Sequence, residues 1–277
     1  MNATKVAVVT GAGSGIGRAL AVELGRRGLR VSGCDVDEVG LKETAALVGD
    51  MHTAVVDMGD RDAVFAYAAD VASVLGGVNQ VYNNAGVAFS RTVLDSTWAD
   101  YERVLRVNLD GVIHGTQAFL PHLIASGDGH VVNISSLNGY LAQAGMSHYC
   151  TSKFAVRGFT ESLHQEMRKD GLPVKVSVVH PGGISTSIAD NAAVYARAAG
   201  LTLTAADARR HKFYNEKLLR MDPAKAARII LDGVAKGRLR IRVGGDAVAV
   251  DALVRLVPAA ALRAALALEK RVDKAIG

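Results

Sequence analysis

The chain has 277 residues, 49% of them hydrophobic and 21% charged, which supplies a sizeable core and excludes a disordered, collagen-like or disulfide-stapled protein. Its two cysteines, Cys34 and Cys150, lie far apart without ligand spacing, so neither a disulfide framework nor a metal site is expected, and a reducing cytoplasm fits. The net charge of +5 is uneven: residues 209–277 carry 16 basic against 7 acidic side chains, whereas residues 1–208 carry 16 against 20.

Short β-branched runs predict strands at 6–10, 31–35, 52–57, 80–84, 130–135, 174–180 and 239–244, with helical periodicity between them. The first helix is expected over Ile16–Arg27, where Ile16, Leu20 and Leu24 recur every four residues and Gly28 ends the run. Such alternation demands a parallel sheet with helices on both faces, a doubly wound α/β fold spanning 1–277 as one domain. Residues 186–222 break the rhythm and read as a partly helical excursion beyond the carboxyl ends of the strands, where it would cover a ligand as a lid. Pro223 starts a further helix, and the basic tail, 246–277, reads as two helices, Asp246–Val257 and Ala259–Ile276, separated by Pro258. The N-terminal apolar run is too short for a signal-peptide core. The richest apolar stretch, 247–268, is broken by Asp251, Arg255, Pro258 and Arg263, so neither a targeting segment nor a spanning helix is expected.

Between the first strand and first helix stands Thr10-Gly11-Ala12-Gly13-Ser14-Gly15-Ile16-Gly17. Glycines in that place let backbone amides and a helix N-terminus approach a pyrophosphate. Ile16 occupies the third glycine position of GxGxxG, so the spacing is Gly-x-x-x-Gly-x-Gly. Asp35 ends the second strand, 18 residues beyond Gly17, where a carboxylate reaches both adenosine ribose hydroxyls. Asp37 and Glu38 follow and no basic residue lies in 34–38, so NAD is expected in preference to NADP. Further along, Tyr149 and Lys153 lie one helical turn apart, close enough for the ammonium to depress the phenol pKa from about 10.

The glycine loop, Asp35, Asn83-Asn84-Ala85-Gly86, Ser136 and the Tyr149/Lys153 pair occur in order, and over residues 5–186 the sequence closely resembles the short-chain dehydrogenase/reductase family. Ser136, thirteen positions before Tyr149, matches the family spacing better than Ser135. The resemblance implies an extended Rossmann fold with a seven-stranded sheet. It also implies an oxidoreductase in which Tyr149 is general acid or base, Ser136 binds the reacting oxygen, Lys153 contacts the nicotinamide ribose and tunes Tyr149, and Asn108 holds a water on the proton path. Implied cofactor contacts are Gly11, Gly13, Ser14, Gly15, Ile16, Gly17, Asp35, Asp57, Met58, Asn84, Ala85, Gly86, Tyr149, Lys153, Pro181, Gly182, Ile184 and Thr186. Dimers or tetramers through the helices holding Asn108 and Lys153 are implied as well.

Candidate substrate contacts are Ser136, Leu137, Asn138, Gln143, Met146, Tyr149, Gly183 and the excursion as far as Phe213. Their mostly apolar or small character favours a hydrophobic secondary alcohol or its ketone. The rival reading is a non-catalytic dinucleotide-binding sensor or scaffold, against which the intact Ser136, Tyr149, Lys153 and Asn108 set argues. For the basic tail, a solvated helix face or packing against another subunit is expected ahead of an anionic substrate tail or a membrane surface. Without interleaved aromatics the tail does not read as nucleic-acid binding.

Overall fold

The structure, a computed structural model, describes residues 4–186, 209, 212–213 and 218–276. Seven strands, β1 (Val6–Thr10), β2 (Arg30–Asp35), β3 (Met51–Val55), β4 (Gln80–Asn83), β5 (Gly129–Ile134), β6 (Val174–Pro181) and β7 (Arg240–Val243), form one sheet in the order β3-β2-β1-β4-β5-β6-β7. Every neighbouring pair is parallel. The expected seven-stranded, doubly wound Rossmann-like sheet is therefore present. The chain starts in the middle, winds outward to β3 and returns past β1 to β4, so the winding reverses between β1 and β4 and opens a crevice at their carboxyl ends.

The helices among the described residues are α1 (Gly15–Arg26), α2 (Glu38–Val48), α3 (Arg61–Leu75), α4 (Trp98–Leu105), α5 (Gly111–Ala125), α6 (Ser147–Lys169), α7 (Pro223–Ala235), α8 (Gly245–Leu256) and α9 (Pro258–Ile276). Alternation along β1 explains the two layers. Ala7 and Val9 face one core with Leu20 and Leu24 of α1 and Ile230 of α7. Val6 and Val8 face the other with Val64 of α3, Phe119 of α5 and Leu163 of α6. Burial of each such Val, Leu or Phe contributes about 1.5–3 kcal/mol.

Helix starts follow local chemistry. Asp222 caps α7, its carboxylate accepting the Ala224 amide at 2.6 Å, with Pro223 as the first helical residue. Pro258 likewise begins α9 and does not stand between two helices, because its missing N–H costs nothing at a position where no intrahelical partner exists. Between α4 and α5 the helix is wound as a π turn over Arg106–Asp110, with the Gly111 amide bonding back to Arg106 O. Most of the expected lid at 186–222 lies outside the described residues. Its return is described: Met221 N and Arg220 N donate to Gly183 O, and Ser185 N donates to Met221 O.

Candidate active site

The glycine loop turns off β1 with Gly11 at φ +66° and Gly15 at φ +52°, conformations that other residues rarely adopt. A Cβ on Gly17 would fall 1.9 Å from Gly11 O, and one on Gly11 would fall 2.7 Å from Ala85 Cα. Thr10 Oγ1 accepts the amides of Asn84 and Ala85, both at 3.0 Å, while Asn84 Nδ2 donates to Thr10 O and Gly11 O at 2.9 and 3.2 Å. Asn84 thus locks the loop to the end of β4. Asp35 accepts the Gly13 amide at 2.8 Å and the Asp37 amide at 3.0 Å, which holds its carboxylate against the loop. Arg18, which the sequence reading did not single out, donates to Gly13 O, Thr44 Oγ1 and Gly40 O and braces the loop from behind.

A cleft of about 640 Å3 opens at the N-terminal end of α1, lined by Ser14, Gly15, Arg18 and Thr186 among others. Thr186 is brought there because the chain after β6 is pinned. Gly183 N donates to Asp246 Oδ2 at 2.7 Å, and residues 183–185 pair with residues 220–221. Asp246 at the start of α8 is a second residue the sequence reading missed. Ile16 is half-buried on α1, Pro181 and Ile184 are buried, and Gly182 stands against Asp246.

Two implied cofactor contacts have other engagements. Asp57 accepts from Arg106 at 2.9 Å and from the Gly59 amide at 2.8 Å. The Met58 side chain is core, against Cys34 and beneath Gly111 and Gly115.

On the other side of the crevice, Ser136 follows β5 and its hydroxyl accepts the Asn138 amide at 3.1 Å, starting the short turn Leu137–Gly139. Tyr149 is the third residue of α6. Burial raises its pKa, and hydrogen bonding with Ser136 acts in the opposite direction. The expectation that Lys153 lowers the phenol pKa is corrected here: desolvation dominates, with the ammonium 5.6 Å from the ring centre. Lys153 is itself 3% exposed, and burial pushes its pKa down to about 8. Its Nζ donates to Ile134 O at 3.0 Å.

Asn108 lies in the π turn, fully buried, where its Oδ1 accepts the Val87 amide at 2.7 Å. Its Nδ2 donates to Val87 O at 2.9 Å and to Ser152 Oγ at 3.1 Å. Gly86 is where the pieces converge: a Cβ there would lie 3.2 Å from Asn108 Oδ1 and 3.5 Å from Lys153 Nζ. Ser152 and His180 are further supports that the sequence reading overlooked. His180 Nδ1 donates to Ser136 O at 2.9 Å and its ring stacks on Tyr140 with centroids 3.9 Å apart.

Leu137, Asn138, Gln143 and Met146 are half-buried in the segment between β5 and α6, and Gly183, in the segment after β6, stands against the Leu218 backbone. Asn138 Nδ2 donates to Leu141 O at 3.3 Å, and Gln143 donates to the buried Glu269 of α9. The C-terminal helix therefore reaches the candidate substrate wall. Cys34 and Cys150 are both buried and free.

Three comparisons agree with this geometry. Residues 5–194 match the family model for short chain dehydrogenase. The chain is 48% identical over 257 residues to a putative oxidoreductase, SadH, of Mycobacterium tuberculosis, covering 91% of each chain. It is 32% identical over 194 residues to estradiol 17-beta-dehydrogenase 11 of Macaca fascicularis, covering 68% of this chain and 65% of that one. Among solved structures, a short chain dehydrogenase/reductase from Burkholderia phymatum in complex with NAD superposes with a TM-score of 0.83 at 30% identity, covering 91% of this chain and 93% of that one. The chain belongs to the short-chain dehydrogenase family and is an oxidoreductase of the CH–OH group.

Proposed function

We propose that the chain is an NAD-preferring dehydrogenase that interconverts a hydrophobic secondary alcohol and its ketone, with Tyr149 exchanging the proton. The observation that carries this reading is the convergence of Ser136, Tyr149 and Lys153 on one side of the β1/β4 crevice, opposite a glycine loop. The residues fit a dinucleotide. The loop carries no Cβ at Gly11, Gly13, Gly15 or Gly17, the N-terminus of α1 faces a cleft, and a carboxylate stands at the end of β2. Gly11, Gly13, Ser14, Gly15 and Gly17 would hold the pyrophosphate, Asp35 the adenosine ribose, and Ile184 and Thr186 the carboxamide end. When bound, the nicotinamide supplies the hydride donor or acceptor.

What the chain contributes is proton handling and orientation. With its pKa raised, Tyr149 is a neutral phenol at pH 7, ready to donate to a carbonyl oxygen as that oxygen gains charge. In the oxidative direction it must first lose its proton, and Ser136 eases that loss by hydrogen bonding to the phenolate. Ser136 is held for the task by the Asn138 amide on its hydroxyl and His180 on its carbonyl. Lys153, with a pKa near 8, carries a charge through neutral pH that a rise in pH removes. Asn108 keeps the Val87 backbone and Ser152 in place beneath them. Asp35 favours NAD because a 2′-phosphate would meet its charge.

The reading includes one domain across the chain, assembly into a dimer or tetramer, and a cytoplasmic setting. Among the described residues no helix is long and apolar enough to cross a membrane. Reduced nicotinamide formation across a panel of apolar secondary alcohols, with NAD and NADP in parallel, tests it. Turnover with NAD that disappears in Tyr149→Phe supports it. Tight NAD binding with no turnover in either direction favours the sensor alternative.

A further inference from the structure

Helix α8 presents an apolar stripe to solvent. Ala249, Ala252, Leu253 and Leu256, spaced i, i+3, i+4, i+7, are all exposed, while Ala247 and Asp251 on the opposite side are buried. The normal arrangement of a surface helix is thereby reversed. Leu256 is 79% exposed, and the stripe runs on through Val257 into α9, where Leu262 and Leu266, one turn apart, are 54% and 51% exposed. A patch of this kind on a folded protein marks a contact surface.

Its border is cationic. Leu256 lines a cleft of about 470 Å3 together with Arg240, Arg242 and Arg255. Arg242 and Arg255 share Asp251, at 3.1 and 2.7 Å, while Arg157 and Arg240 share Glu161, at 3.0 and 2.7 Å. Four guanidinium groups thus stand on two carboxylates. Helix α9 adds Arg263, Lys270, Arg271 and Lys274 against Glu269 and Asp273.

We infer that the α8–α9 face docks on an anionic lipid surface, with Leu253, Leu256 and Leu262 entering the interface and the surrounding arginines meeting lipid phosphates. Charge decides between the two occupants that an apolar face admits. A second copy related by a two-fold axis would bring this same net-positive face against itself, whereas an anionic surface is attracted by its excess of cations. The same helix pair holds Gln143 through Glu269, so the docked face is joined to the candidate substrate wall.

The test is sedimentation of the full chain with phosphatidylcholine vesicles and with vesicles containing about a third phosphatidylglycerol, at low and high salt. The expected result is at least tenfold stronger binding to the anionic vesicles, weakened by salt because exposed charges are screened beyond about 8 Å at physiological ionic strength. Leu256→Asp should lose that binding with unchanged melting temperature and unchanged elution volume. Should that variant fold poorly, the paired charge reversal Arg263→Glu/Arg271→Glu provides the same reading. Equal binding to both vesicle types, no binding at low salt, or a dimer that Leu256→Asp converts to monomer would each overturn the inference.

Discussion

Asn108 in the π turn and Ser152 in α6 are joined by a 3.1 Å hydrogen bond, buried at both ends, between side chains that do not lie on one helix or one strand. The same asparagine closes a two-way bond with the Val87 backbone. The helix beside the sheet and the helix carrying Tyr149 are thereby set relative to each other by one amide.

Asn108→Ala removes all three bonds at once and leaves the part-buried Val87 amide without its acceptor, which costs about 1–3 kcal/mol. The expected outcome is a lower melting temperature together with at least tenfold loss of kcat. Ser152→Ala, which removes two bonds, the one accepted from Asn108 and the one donated to Tyr149 O at 2.7 Å, should lose about 1–2 kcal/mol with a smaller effect on turnover. Calorimetry and initial rates on the two variants check the ranking.

Lys153 links activity to stability in opposite directions. Its folded pKa of about 8 lies below its ordinary value of 10.5. Between those values the unfolded chain holds a proton that the folded chain does not, so this group makes stability rise with pH from 8 to 10.5 and penalises folding fully below 8. Lys153→Met should be more stable than the parent at pH 7, by about 3 kcal/mol less the cost of leaving Ile134 O without its donor. That advantage should shrink towards pH 10.5, while turnover is lost. Urea unfolding at pH 7 and pH 9.5 gives the comparison.

His130 and His180, both buried with pKa values pushed down to about 4 by desolvation, govern the acid side. The unfolded chain takes up these protons from about pH 6.5 and the folded chain only near 4. Their contribution is therefore complete above 6.5, falls by about 1.4 kcal/mol per pH unit per histidine between 6.5 and 4, and is flat below. His180→Gln should reduce that slope by one proton in unfolding experiments taken at half-unit intervals.

For the cofactor, Gly17→Ala drives a methyl into Gly11 O and should abolish dinucleotide binding, measured by fluorescence titration. Asp35→Ala should weaken NAD binding and narrow the NAD over NADP preference by tenfold or more. An unchanged ratio of the two kcat/KM values would remove Asp35 from the ribose contact.

Strand positions were legible because each apolar run is short, β-branched and bounded by turn residues, and all seven fall within two residues of their observed ends. The i,i+4 spacing of Tyr149 and Lys153 was legible for the same local reason. Other features depend on contacts between distant segments. The π turn at Arg106–Asp110 adds a residue to a helical turn without any Gly or Pro to announce it. Asp246 supports Gly183 from 63 positions away, and Arg18 reads locally as an ordinary helix cation. The pKa direction at Tyr149 was misjudged because spacing reports proximity to Lys153 and is silent on burial. The outward apolar stripe of α8 was missed because a moment along the helix does not say which side the sheet occupies.

Residues 183–185 and 220–221 are hydrogen-bonded to each other, so the intervening chain is closed at its base by backbone pairing that requires no particular side chain. Extra length within such a closed loop costs little, about 0.6 kcal/mol for each doubling. The segment therefore behaves as a cassette. A different insert spliced between the same two anchors should leave the sheet and the proton-handling residues in place.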